Sequence, residues 1–88
     1  MDEERILDEL LVLLEAHGVR IRRDALAGQG GGLCQVRGER LFFLDTEASL
    51  GDSAVLCARA LNEVVDIESI YIRPEVREFV EKAIGKEQ

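Results

Sequence analysis

The stretch Leu33-Cys34-Gln35-Val36-Arg37-Gly38-Glu39-Arg40-Leu41-Phe42-Phe43-Leu44-Asp45 decides how this chain folds. It predicts two strands, 33–37 and 40–45, joined by Gly38-Glu39 in a type II′ turn, because glycine suits the first central position of that turn. The segment Leu41-Phe42-Phe43-Leu44 makes the second strand apolar on both faces. Such a strand is usually central and covered on both sides, here by helices or by a second copy of the protein.

Periodic apolar positions on either side of this hairpin predict three helices. The first spans residues 3–17, the second begins at the capping sequence Ser49-Leu50-Gly51-Asp52, and the third begins at Pro74. Alternation over 19–22 predicts another strand, and Ile70-Tyr71-Ile72 is expected to be extended. The order predicts an α+β fold, with a small three-stranded antiparallel sheet packed against about three helices.

The composition is that of one folded domain covering residues 1–88, with a frayed tail from Lys86 to Gln88. Apolar residues make up 47% of the chain and charged residues 33%, which is typical of a globular protein. No apolar run approaches the roughly 18 residues of a membrane span. The start Met1-Asp2-Glu3-Glu4 is acidic, unlike that of a signal peptide. We therefore expect a cytoplasmic protein with reduced cysteines.

Charge is spread unevenly along the chain, whose formal net charge is −7. Residues 19–40 hold five arginines against Asp24 and Glu39, a local balance of +3. The overall acidity argues against binding to nucleic acid or to an anionic membrane, since both need clustered Lys and Arg. The basic segment is therefore interpreted as a local feature of an acidic protein.

Four arginines on the predicted strands form the candidate partner-binding surface: Arg20, Arg22, Arg37 and Arg40. If they share a face, they make a compact positive patch that could dock on an acidic partner or on a second copy, because arginine is enriched at interfaces. The alternative is that they pair with acids on the protein's own helices, and each such pair would stabilise the fold by about 0–1 kcal/mol.

The glycine run Gly28-Gln29-Gly30-Gly31-Gly32 does not complete a phosphate-binding motif. A dinucleotide fingerprint starting at Gly28 needs a third glycine where Leu33 stands, and a P-loop needs a lysine, of which the first is Lys82. The run is expected to be a flexible connector between strands. The alternative is a loop that contacts a ligand or a partner, with four candidate residues: Gly30, Gly31, Gly32 and Cys34.

Soft metal ligands are few: Cys34, Cys57 and His17. They do not form the close pairs of a structural zinc site, so we expect no metal and no cofactor. Cys57 lies on the apolar stripe of its helix and is expected to be buried. A catalytic Cys34–His17 pair is an alternative, although nothing in the sequence brings the two together. The simpler expectation for His17 is a cation at a helix end.

Asp45 directly follows the apolar strand. An Asp at a strand end usually begins a turn by accepting hydrogen bonds from nearby backbone N–H groups, and Asp45-Thr46-Glu47 is expected to do so. A functional carboxylate is the alternative.

Several segments together resemble a known family: Ala16 to Ile21, the hairpin Gly32 to Asp45, the helix after Leu50, and Ile70 to Glu78. Their order, from the first helix to Glu81, resembles the minimal zincin-like metallopeptidases that cleave phage repressors. Those families carry His-Glu-x-x-His on the helix after the hairpin, as zinc ligands and general base. Here that region is Val55 to Leu61 and has none of those residues, so the resemblance implies the scaffold without the activity. Gly31 to Gly38 also resembles a segment of small bacterial proteins.

The leading hypothesis is a non-enzymatic protein-interaction or regulatory module that self-associates, as a homodimer. The first alternative is a degenerate zincin-like domain that binds a peptide or small ligand between sheet and helix, with a peptide adding to a free sheet edge. The second is a thiol-dependent enzyme that uses Cys34.

Overall fold

A computed structural model of the chain describes residues 2–85, so the expected tail from Lys86 to Gln88 lies outside the described residues. The elements within them confirm the predicted α+β class and are, in chain order, α1 (Glu3–Ala16), β1 (Val19–Asp24), β2 (Gly32–Val36), β3 (Glu39–Asp45), α2 (Leu50–Val64), a 3-10 turn (Ile67–Ser69) and α3 (Pro74–Ala83).

The helix starts follow from local sequence. Asp2 caps α1 by accepting a hydrogen bond from the Arg5 N–H at 2.9 Å. Ser49 caps α2 by accepting from the Asp52 N–H at 3.1 Å, and Pro74 opens α3, both as predicted. The predicted extended segment is found at Ile70, but it joins no strand of the described chain.

The sheet is mixed, so the predicted antiparallel arrangement is wrong for one pair of strands. Its order is β1-β3-β2, in which β2 runs antiparallel to β3 and β1 runs parallel to β3. The central position of β3 is the one that its apolar character predicted. A tight turn would have placed β1 directly beside β2. Residues 25–31 instead span two strand spacings, roughly 10 Å, and leave room for β3 between them.

The connection from β1 to β2 passes very close to the end of β3. A Cβ atom on Gly31 would lie 1.6 Å from the carbonyl oxygen of Phe43, a distance at which no side chain fits. Glycine is therefore required at this point by close backbone approach, and the conformation of the whole connection depends on it.

The hairpin turn lies one residue earlier than predicted. Arg37 and Gly38 occupy its centre with φ values of +53° and +81°, and Val36 pairs with Glu39. Positive φ at both central residues is a type I′ turn, so the predicted type II′ turn and the predicted strand position of Arg37 are wrong. The type I′ turn matches the right-handed twist of the strands, although it places an arginine at positive φ.

The helices cover one face of the sheet. Phe42 and Leu44 point to this face and belong to the core, at 1% and 9% exposure. Leu41 and Phe43 alternate with them and point to the opposite face, where they are half-buried. Within residues 2–85 the helices leave that second face uncovered, so coverage of β3 by helices on both sides is wrong.

Two Gly→Ala substitutions should have opposite effects on stability. Gly31→Ala forces a methyl group onto the Phe43 carbonyl and should lower the free energy of unfolding by about 3 kcal/mol or more. Gly51→Ala in α2 meets only the end of the Glu3 side chain and should raise it by up to about 1 kcal/mol through helix propensity. Urea unfolding of both variants tests this, and equal effects would contradict the proposed path of the connection.

Candidate functional site

The Asp45 carboxylate holds the end of the sheet together. It accepts hydrogen bonds from the backbone N–H groups of Leu26 at 3.0 Å, Gly30 at 2.9 Å and Glu47 at 2.9 Å. The bond from Glu47 is the local turn that the sequence predicted. The other two come from the connection between β1 and β2, so a side chain at the end of β3 anchors the loop that crosses over that end.

The environment of Asp45 favours its charged form. Burial by itself would raise the pKa of this carboxyl, since only 2% of the residue is exposed. The backbone N–H donors of Leu26, Glu47, Gly30 and Gly28 outweigh burial and hold the pKa below its ordinary value. With its oxygens occupied by backbone donors, Asp45 is a structural anion, and the alternative of a functional carboxylate finds no support here.

The glycine run is an anchored connection. Gly30 is tied to Asp45 and Gly31 lies against β3, whereas a free flexible connector was expected. An open groove of about 290 Å³ lies between this run and α2. Its lining includes Gly28, Gly30, Leu56 and Arg59, so one of the four residues predicted for a ligand loop, Gly30, borders this groove. A contact role for Gly30, Gly31, Gly32 and Cys34 stays a prediction.

The four candidate arginines do not share one face. Register places Arg20 opposite Leu41 and Arg22 opposite Phe43, on the face away from the helices. Arg40 lies opposite Val19 and Gln35 and so alternates to the other face, and Arg37 lies in the hairpin turn. Arg20 and Arg40 nevertheless line one open groove of about 380 Å³ at the hairpin end of the sheet.

Two of these arginines pair with acids of the sheet itself, and not with helix acids as the alternative had it. Arg20 lies 3.5 Å from Glu39 and Arg22 lies 3.5 Å from Asp24. All four side chains are well exposed, so each pair stabilises the fold by at most about 1 kcal/mol. Among residues 2–85, Arg37 and Arg40 have no ion-pair partner.

The uncovered face of the sheet, here called the outer face, is apolar at its centre and charged at its edge. Its central residues are Leu41 and Phe43 of β3 with Cys34 and Val36 of β2. Its charged border is formed by Arg20 and Arg22 with the acids that they pair with, Glu39 and Asp24. Val36 is 44% exposed. An apolar centre with a polar border is the usual composition of a protein interface.

The two edges of the sheet differ in charge. β1 carries Arg20, Arg22 and Arg23 along its length, and charged side chains on an edge strand discourage pairing with another chain. β2 has the sequence Gly-Leu-Cys-Gln-Val, with neither charge nor proline. In the described part of the chain, its only strand neighbour is β3. The edge at β2 therefore lacks the protection that β1 has.

The soft ligands lie apart. His17 caps the end of α1, as its position predicted, with Nδ1 at 2.9 Å from the Leu13 carbonyl oxygen. Cys57 is fully buried, as predicted, and burial raises its pKa to about 12. Cys34 is half-buried on the outer face. No group of three or more Cys, His, Asp or Glu residues that could hold a metal ion occurs between residues 2 and 85.

Comparison with known proteins gives no further guide. No protein-family model, no curated protein and no solved structure matches the chain. None of the helices formed by residues 2–85 is long and apolar enough to cross a bilayer. The resemblance to zincin-like peptidases stays a prediction, and the candidate site rests on the geometry of the sheet.

The outer face and the bare β2 edge are the features that sequence reasoning missed. The sequence predicted a central β3 but gave no order for the strands, so the lack of charge in β2 had no assigned meaning. The contrast between three arginines in 19–24 and none in 32–36 was visible in the sequence. It becomes informative only when both segments are known to be edges.

Replacing the Asp45 carboxylate should give a pH-dependent loss of stability. Because its folded-state pKa is lowered, ionised Asp45 stabilises the fold above the unfolded pKa of about 3.9, and this contribution is lost as pH falls through the folded pKa. Asp45→Asn should therefore unfold at lower urea than wild type at neutral pH, and the difference should shrink below about pH 4.

The exposed Asp8→Asn is the matched control, since Asp8 lies on the surface of α1 and the change removes the same charge. Asp8→Asn should change the urea midpoint little at any pH. A difference between Asp45→Asn and wild type that stays constant or grows in acid would contradict the assigned role.

Proposed function

We propose that this chain is a non-enzymatic interaction module that self-associates through its sheet. The observation that carries the proposal is the one-sided covering of the sheet, which leaves Leu41 and Phe43 half-buried and Val36 exposed on the outer face. Apolar side chains on an unprotected sheet are stabilised when another chain covers them, because contact removes their surface from water.

Arg37 adds support. A non-glycine residue at positive φ is uncommon, and asparagine is the residue that a type I′ turn prefers before glycine. An exposed arginine held in this conformation costs stability without an ion pair within residues 2–85 to offset it. A strained residue of this kind suggests a role in contact with another molecule, in agreement with its predicted place in the partner-binding surface.

The expected association is weak. The sheet is small, and contact through five to seven residues a strand buries less than the roughly 1,200 Å² of a standard interface. Interfaces of this size are typical of weak, transient complexes, so we expect a dissociation constant on the order of micromolar to millimolar and an oligomer that forms only as concentration rises.

A second candidate is the degenerate zincin-like domain, which would bind a peptide or small ligand in a groove between sheet and helix, or a peptide at the free β2 edge. It is favoured by the groove of about 290 Å³ that lies between the glycine run and α2. Both candidates use the same sheet, and they differ in the chemistry of the occupant: an unrelated extended peptide, or a second copy of this chain.

Sedimentation equilibrium across a wide concentration range tests the proposal. The wild-type mass should rise from 9.8 kDa toward twice that value. Val36→Lys should weaken association about tenfold or more, because it places a charge on the outer face. The folded monomer should tolerate the lysine, because its cross-strand neighbour Glu39 is acidic. A mass that stays at that of the monomer for wild type would overturn the proposal.

Val12→Lys is the matched control for this experiment. Val12 is 62% exposed on α1, far from the outer face, and the substitution adds the same charge. It should leave association unchanged. Equal weakening by both variants would mean that overall charge, and not the sheet, controls the association.

A further inference from the structure

We infer that two copies of this chain pair β2 against β2 in antiparallel register, with Cys34 facing Cys34 on a two-fold axis. The inference rests on the proposed self-association and specifies its geometry. It joins the two sheets edge to edge into one sheet, in the order β1-β3-β2-β2-β3-β1. It also joins the two outer faces into one surface.

The hairpin determines which backbone groups of β2 are free. The turn pairs Val36 with Glu39, and a β-turn joins these two residues by a backbone hydrogen bond. Hydrogen-bonded and non-hydrogen-bonded pairs alternate along an antiparallel ladder, so Cys34 also bonds to β3, opposite Leu41. Leu33 and Gln35 therefore point their N–H and C=O groups away from β3, toward the open edge.

One symmetric register uses both outward-facing residues of each copy. If Leu33 of one copy pairs with Gln35 of the other, symmetry makes the reverse pair as well, and four backbone hydrogen bonds form. Cys34 then faces its own counterpart as the central non-hydrogen-bonded pair. If the two-fold axis passed through Leu33 or through Gln35 instead, these two residues would no longer pair with each other across the interface. Cys34 is therefore the favoured centre.

Charge favours a second copy in this antiparallel direction. Extending the register places Arg37 of one copy opposite Gly31 of the other, beside its glycine run. The exposed Glu47 lies at that end of the sheet, where a Cβ atom on Gly28 would lie 3.7 Å from its backbone carbonyl oxygen. Each Arg37 thus approaches the acidic end of the other copy, whereas parallel pairing would bring Arg37 against Arg37. No charged side chains of β2 itself face one another.

The distance between Cys34 of one copy and Cys34 of the other provides a test of this register. Residues in a non-hydrogen-bonded antiparallel pair have Cα atoms about 4.5 Å apart, within the roughly 4.4–6.8 Å that a disulfide bridges. Cys34 is half-buried on the outer face and is accessible to an oxidant, whereas Cys57 is fully buried. A disulfide-linked dimer of the wild-type chain would therefore report on Cys34.

The test is oxidation of the wild-type protein with copper–phenanthroline at concentrations below and above the association midpoint, followed by non-reducing electrophoresis. The expected result is a linked dimer that forms rapidly only above the midpoint and is absent in Cys34→Ser. The register control is the double variant Cys34→Ser/Gln35→Cys. In the inferred dimer its introduced thiols face Leu33, roughly 9 Å from one another, so its linking should be at least about tenfold slower.

A second variant tests the edge without a thiol. Gln35→Pro removes an N–H that points to solvent in the monomer, and proline is tolerated on an edge strand in that orientation. It should keep the circular dichroism spectrum of wild type and sediment as a monomer. Gln35→Thr, which keeps the N–H, should still associate.

The outcomes separate the two proposals. Association that Gln35→Pro leaves intact, or linking of the double variant as rapid as that of wild type, would overturn the edge pairing while the sheet-mediated association still stands. A wild-type chain that stays monomeric at every concentration would overturn both. A monomer whose β2 amides shift only on addition of an extended peptide would assign the edge to the peptide-binding candidate instead.

Discussion

The hydrogen bonding of the Asp45 carboxylate to backbone N–H donors is the interaction on which the rest of this structure depends. Because β3 lies between β1 and β2, the chain that leaves β1 must cross the end of β3 to reach β2. Residues 25–31 make this crossing. Asp45 bonds to both limbs of that connection, at Leu26 and Gly30, while Gly31 lies against Phe43. These contacts keep β1 on one side of β3 and direct the chain to β2 on the other side.

The position of β2 follows from this crossing. Once the connection skips a strand position, β2 must lie at the outside of the sheet, paired through the hairpin to β3 alone within the described chain. The helices pack on one face, where Phe42 and Leu44 of β3 join the apolar residues of α1 and α2 in the core. The uncharged edge and the half-buried outer face are thus consequences of one topology. The proposed self-association acts through this sheet, and the inferred pairing of two copies uses its uncharged edge.

Local signals in the sequence predicted the helices, their caps and the central place of β3, because these depend on neighbouring residues. Strand order depends on how far a connection reaches, and the length and glycine content of residues 25–31 did not distinguish a turn from a crossing. The positions of the four candidate arginines likewise depend on the turns and connections between the strands. Arg20 and Arg22 share a face as their spacing implied, but Arg40 alternates away and Arg37 lies in the turn, since the turn lies one residue earlier than predicted.

Amide hydrogen exchange in β2, followed by NMR at low and high protein concentration, tests the account most directly. The Cys34 N–H, which bonds to β3, should be protected at every concentration. The account predicts that the Leu33 and Gln35 N–H groups exchange rapidly in dilute solution and become protected as the protein associates. If Leu33 and Gln35 were already protected in the monomer, or stayed unprotected in the associated protein, the open β2 edge could not be where two copies meet.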